Sequence, residues 1–144
     1  MSRADSQPTV EVLYEDECLR LLATQEVGRL AVVEGGYSPL IVPVNYILDG
    51  RAIVFRTDGG TKLRGAIRAP VSFEVDDLDP STRSGWSVVA RGVARDLSGK
   101  DRSHLEVRLA ATPLHPWVPG ERSHLVRIAP TTLSGRRVRA PVAR

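Results

Sequence analysis

Residues 43–63 read PVNYILDGRAIVFRTDGGTKL, and the fold turns on this stretch. Val44 and Tyr46 alternate with Asn45 and Ile47, and Asp49-Gly50 follows. Asp-Gly between two alternating runs predicts a β-hairpin with a type I′ turn, because that turn needs positive φ at both central positions. Beyond the turn, Ile53 and Phe55 share one face and Val54 and Arg56 the other. Thr57-Asp58-Gly59-Gly60 breaks the strand, and Thr61-Lys62-Leu63-Arg64 opens a short helix. Two glycines, a hydroxyl and a lysine at a helix start suit a phosphate group. Unpaired N–H groups point outward there, the helix dipole favours an anion, and Lys62 adds a full charge. The functional centre is expected here.

The chain has 144 residues, enough for one domain with a real core. An apolar fraction of 42% and a charged fraction of 26% are those of an ordinary soluble domain. The net charge of +3 comes from arginine, since Lys62 and Lys100 are the two lysines. That excess favours an anionic ligand and is weak support for nucleic acid. Cys18 is the single cysteine, so an intrachain disulfide is excluded and a reducing cytoplasm is the expected compartment. Neither a signal peptide nor a run of membrane-spanning length is read from the sequence, so no membrane is expected.

Outward from the hairpin, residues 1–11 are polar and expected to be flexible. Glu15 to Leu22 reads as a helix with acids in its first turn, and Val27 to Glu34 as a strand. Pro43, inside the strand Pro39 to Leu48, marks an edge, a bulge or a break. A helix from Thr61 to Arg68 ends at Ala69-Pro70. Val71 to Asp76 alternates as a strand, Asp77 to Ser84 reads as a loop, and Gly85 to Ala94 is a longer strand with a bulge at Gly92. Ser98 caps a helix to about Ala111, Arg122 to Ile128 is the last strand, and residues 130–144 form a basic C-terminal tail. About six short strands with turns between them predict one mostly β domain, residues 1–144, built as a small antiparallel barrel with few short helices.

Other motifs carry less. The glycine turn lacks the GxxxxGK[ST] pattern of a triphosphate loop, and its strand is antiparallel. His104, His115 and His124 have no metal-like spacing, so no metal is expected. Asp76, Asp77 and Asp79 could act as acid–base groups, but a polar stretch before a proline reads better as a solvated turn. No GxSxG or Cys–His partnership supports covalent hydrolysis, and no catalytic residue stands out. Trp86 and Trp117 mark a place where large flat surfaces meet: a subunit interface, a planar ligand, or both.

Taken together, VGRLAVV, PLIVPVNY, IVFRTDGGTKL, VSFEVDD and SGWSVVARGVA resemble, in order over residues 15 to 128, the pyridoxamine 5′-phosphate oxidase-like family of FMN-binding split β-barrels. The resemblance implies a homodimer with two flavin sites at the subunit interface. It implies that the strand at Val44, Asn45 and Tyr46 bonds the flavin ring through its backbone, with Arg56 and Thr57 near the ring and ribityl chain. Thr61 and Lys62 match the phosphate turn. Trp86 and Ser87 match the place where the partner subunit reaches the ring, and Trp117 and Arg122 are similar to a later tryptophan and arginine from that partner. Tyr46 and Trp86 are expected to line an open, mostly apolar substrate pocket. True pyridoxamine phosphate oxidases are longer and have two adjacent basic residues in the phosphate turn. The tail at Gly135-Arg136-Arg137 does not reproduce their C-terminal motif, so oxidation of vitamin B6 is not implied. The reading is an FMN-dependent oxidoreductase acting on a small molecule. Its rivals are a deazaflavin-dependent reductase of the same fold, a non-catalytic flavin carrier or redox sensor, and last a nucleic-acid-binding barrel.

Overall fold

Alternating burial runs along the strands. In β6 (Ser84–Asp96), Trp86, Val88, Ala90, Gly92 and Ala94 are buried and the residues between them are not. The computed structural model describes residues 7–34, 38–57, 68–97, 99–111 and 124–141. Before β6 come β1 (Thr9–Leu13), α1 (Glu15–Leu22), β2 (Val27–Glu34), β3 (Ser38–Asp49), β4 (Ala52–Thr57) and β5 (Pro70–Asp79). After it come α2 (Gly99–Ala111) and β7 (His124–Arg139). All pairings are antiparallel. The order β7-β4-β3-β2-β5-β6 closes into a barrel through β6–β7 pairing, and β1 adds to the far half of β7. The expected mostly β barrel is therefore present. It closes within one chain.

Among the described residues, two helices seal it. The apolar residues of α1 recur at helical spacing, so Cys18, Leu21 and Leu22 enter the main core with Phe55, Phe73, Trp86 and Ile128. On the outside, Leu105 and Leu109 of α2 cover Val54 and Leu125. Strand β4 is thus buried on both faces, which explains its near-continuous apolar run. No described helix is long and apolar enough to cross a membrane.

Three local expectations are corrected. Asp49 pairs with Ala52, so the hairpin loop is Gly50-Arg51, one residue later than the type I′ reading. Gly50 alone there has positive φ, +60°, which is the requirement of a type II′ turn. The loop expected over residues 77–84 is mostly strand, because Asp77, Leu78 and Asp79 pair with Trp86, Gly85 and Ser84. Residues 9–11 and 130–139 are not loose ends. Thr9 to Leu13 pairs with Arg139 to Gly135, and Arg137 and Arg139 both reach Glu11 across that pair. Charges that looked solvated are matched between strands. The expected irregularity at Gly92 is present as a register shift between Arg91 and Gly92, with the extra residue, Thr131, on β7. The expected helix from Thr61 lies outside the described residues, save Arg68, which sits in a left-handed turn at φ +69°.

Candidate functional site

Strand β3 is paired on one side only over much of its length. The Tyr46 N–H donates to the Glu26 carbonyl at 3.1 Å. Backbone groups alternate in direction along a strand. Val44 and Tyr46 therefore turn theirs towards β2, while Ile41, Pro43 and Asn45 turn theirs away. Strand β4 pairs with β3 only over Tyr46 to Asp49, so residues 38–44 have an open side among the described residues. Prolines at 39 and 43 have no N–H, which leaves Ile41 as the donor of that stretch. Pro43 marks an edge, one of the three readings its position allowed.

Side chains divide the same residues differently. Val44 packs against the main core. Tyr46 is 3% exposed, its ring meets Phe73 edge-on at 5.1 Å, and its hydroxyl donates to the Leu22 carbonyl at 2.5 Å. Burial pushes its phenol pKa up. Tyr46 therefore does not line an open pocket, and the expectation that it does is corrected. Asn45 faces outward and donates to the Glu26 carbonyl at 3.4 Å. Next to it on β4, Arg56 forks onto Glu106 of α2 at 3.4 and 3.1 Å. Thr57 closes the strand, buried.

The β6 residues also separate. Trp86 is 8% exposed and lies in the main core, so it lines no open face within the chain. Ser87 faces outward, between Asp76 of β5 and Arg136 of β7. Asn45 and Ser87 thus share the outer face of β3-β2-β5-β6, three strand spacings or about 14 Å apart. Thr61, Lys62, Trp117 and Arg122 lie outside the described residues.

Between Asn45 and Ser87 the face carries Arg29 and Glu74, which sequence reasoning missed, and Asp76, which it read as part of a solvated turn. One row across the sheet runs Pro43, Arg29, Glu74, Val89 and Ser134. The Arg29 guanidinium reaches Glu74 at 3.2 Å and Asp76 at 3.4 Å. Burial, followed by the hydrogen bond and charge of Asp76, pushes the Glu74 carboxyl up to about 7, against the pull of Arg29. The signal was in SFEVD: strand alternation places Glu74 and Asp76 on one face. Above this row a groove of about 470 Å³ is lined by Ala31, Val33, Pro39, Ser72, Arg91 and Thr131. That volume suits a small organic ligand, and the walls are mostly apolar.

The sequence model of the family described as pyridoxamine 5′-phosphate oxidase matches residues 14–137. An uncharacterised protein of Mycobacterium tuberculosis, Rv0080, is 38% identical over 94% of this chain and 91% of its own length. Among solved structures, the FAD binding protein from Mycobacterium smegmatis is 35% identical, with a TM-score of 0.66, over 90% of this chain and 98% of that one. A Corynebacterium glutamicum structure, described provisionally as a pyridoxamine 5′-phosphate oxidase, is 33% identical with a TM-score of 0.73, over 94% and 96% of the two chains. A motif series in the right order, a barrel of matching topology and a family match across most of the length agree: the chain belongs to the pyridoxamine 5′-phosphate oxidase family and has its split-barrel fold.

Proposed function

We propose that the chain is a flavin-dependent oxidoreductase that holds FMN along the open side of β3, at the interface of a homodimer, and acts on a small organic substrate. The observation that carries this reading is that open side, which runs towards the outward-facing Asn45 and the end of β4 at Thr57. The described residues fit such a group. Backbone acceptors and the Ile41 N–H line the edge, and an apolar groove with Arg91 at its wall lies on the same face. Asn45 is the residue of the Val44-Asn45-Tyr46 set whose backbone turns away from β2; Val44 and Tyr46 hold it in place from the core. Thr61 and Lys62 would take the phosphate. Ser87, Trp117 and Arg122 would be given by a second copy, Ser87 in preference to the core-packed Trp86. When bound, the flavin supplies the electron-pair chemistry, while the protein orients the ring and excludes water.

FAD is a second reading, favoured by the description of the M. smegmatis protein as FAD binding. Titration of the purified chain with FMN, FAD and riboflavin, followed by flavin fluorescence, tests both. A charge-assisted phosphate contact is worth about 1.5–3 kcal/mol, so Lys62→Ala should weaken FMN by about ten- to hundredfold and leave riboflavin nearly unchanged. FAD binding well above FMN would select the second reading. A purified chromophore with a deazaflavin spectrum, or no binding of any of the three, would refute the proposal.

A further inference from the structure

Arg29, Glu74 and Asp76 form a cluster in which carboxylates outnumber cations. Glu74 and Asp76 stand two residues apart on the outer face of β5, and one guanidinium nitrogen of Arg29 reaches both, at 3.2 and 3.4 Å. Their side chains are only 32% and 22% exposed, so water compensates the second negative charge poorly. Among the described residues, the groups facing Glu74 are few. Strand β2 offers Arg29, and its own strand offers Ser72 and Asp76. From β6 come Val89 directly opposite, with Ser87 and Arg91 on either side of it. Like carboxylates at this separation share a proton more readily than both ionise. Through Arg29, which stands opposite Pro43, the cluster borders the open side of β3 argued above to hold the flavin, on the same outer face as Asn45.

We infer that the Glu74–Asp76 pair is the acid–base group of this face: it keeps one proton between two carboxylates and gives it to the substrate. The inference rests on the flavin reading of the site. Reducing a conjugated carbonyl acceptor of the quinone class to the hydroxyl level takes a hydride equivalent, supplied by reduced flavin, and one proton. Glu74 supplies the proton. Its O–H bond breaks, a new O–H bond forms on the substrate oxygen that receives the electron pair, and the carboxylate left behind stays against Arg29 until solvent protonates it again. Electrons and protons then balance, with the flavin oxidised and the acceptor reduced. A site shielded enough to hold a proton near neutrality, yet open enough to reload it, suits general acid work at that pH.

The experiment uses the full flavin-loaded chain, reduced anaerobically with dithionite and mixed by stopped flow with a soluble quinone or with ferricyanide. Ferricyanide takes single electrons and no proton. In the wild type, the quinone rate should fall about tenfold as pH rises through about 7, while the ferricyanide rate stays level. Glu74→Gln should lower the quinone rate about a hundredfold and abolish its pH dependence, leaving ferricyanide within about twofold. Asp76→Asn removes the neighbouring charge and should move the midpoint down by about one pH unit. A Glu74→Gln chain with wild-type quinone kinetics, or one that slows both acceptors alike, would overturn the inference and leave flavin binding untouched. A chain that binds no flavin would overturn the function proposed above. In that case a carbon-13 carboxyl titration of the full chain still decides the pair: a Glu74 midpoint near 7 supports the shared proton, and one in the ordinary carboxylate range refutes it.

Discussion

Gly28→Ala tests how β2 and β5 are fastened beneath the candidate site. A Cβ at Gly28 would lie 2.1 Å from Phe73 Cζ, 2.6 Å from Cε1 and 2.8 Å from Cε2. The ring points end-on at the glycine, so rotating it relieves nothing. Carbon atoms settle at about 3.5 Å or more, so the ring has to withdraw by over about 1 Å. It has nowhere easy to go. Phe73 is fully buried, and its neighbour Tyr46 is tied to the Leu22 carbonyl. The cost should reach the upper end of overpacking, about 3 kcal/mol. Phe73→Leu removes the end of the ring and should itself cost about 1–2 kcal/mol, by comparison with larger truncations. In the double variant the clash is gone, so the two losses should fall short of additivity by more than about 1 kcal/mol. Urea unfolding followed by tryptophan fluorescence measures this through the midpoint at constant m. A Gly28→Ala loss below about 0.5 kcal/mol, or strict additivity in the cycle, would refute the argument.

Two further outcomes follow from charge and turn geometry. Arg20 first, and Arg137 next, hold the Glu17 carboxyl down at about 2 from an ordinary 4.5. A lowered carboxylate adds stability that is complete above 4.5 and lost as pH falls through about 2, so the Tm advantage of wild type over Glu17→Gln should shrink across that window. A Tm difference independent of pH would remove Glu17 from the account. Gly50 has φ +60° with nothing near its absent Cβ, so Gly50→Ala should cost about 1–2 kcal/mol from backbone strain alone. Gly50→Asn should cost less, because asparagine tolerates that conformation, and equal thermal losses for the two would argue against a turn-based penalty.

What could be read from the sequence was what is local. Glu15 to Leu22 and Val27 to Glu34 appear with the expected ends, because acids at a helix start and an alternating strand each carry their own signal. Strand β1 carried none that could be trusted. Val10 and Val12 are 62% and 73% exposed, so its alternation points apolar residues outward. It is a strand because β7 offers a pairing edge, a fact that sits far away in the chain. The same holds for the arginine-rich end of β7, whose acids lie at Glu11 and Glu17. At the site, the backbone sense of Asn45 needed one hydrogen bond, from Tyr46 to Glu26, before it could be assigned. Asp76 was visible but read as a turn, since nothing local shows that β5 continues to Asp79 against β6.

Two charge clusters of the barrel obey one rule with opposite outcomes. Around α1, three arginines, Arg20, Arg137 and Arg139, meet two carboxylates, Glu11 and Glu17, and each carboxylate touches two guanidinium groups. Cations are in excess, Glu17 is held ionised to about pH 2, and the network ties β1, α1 and β7 together. On the outer face of β5 the ratio reverses. Among the described residues Arg29 alone meets Glu74 and Asp76, so adding a proton to Glu74 relieves the excess and removing it restores the repulsion. If fastening were the only task, one carboxylate would match one guanidinium, and the second costs stability whenever both ionise. A fold that keeps the pair across β2 from Pro43, on a face that α2 does not cover among the described residues, keeps it where a proton can be used.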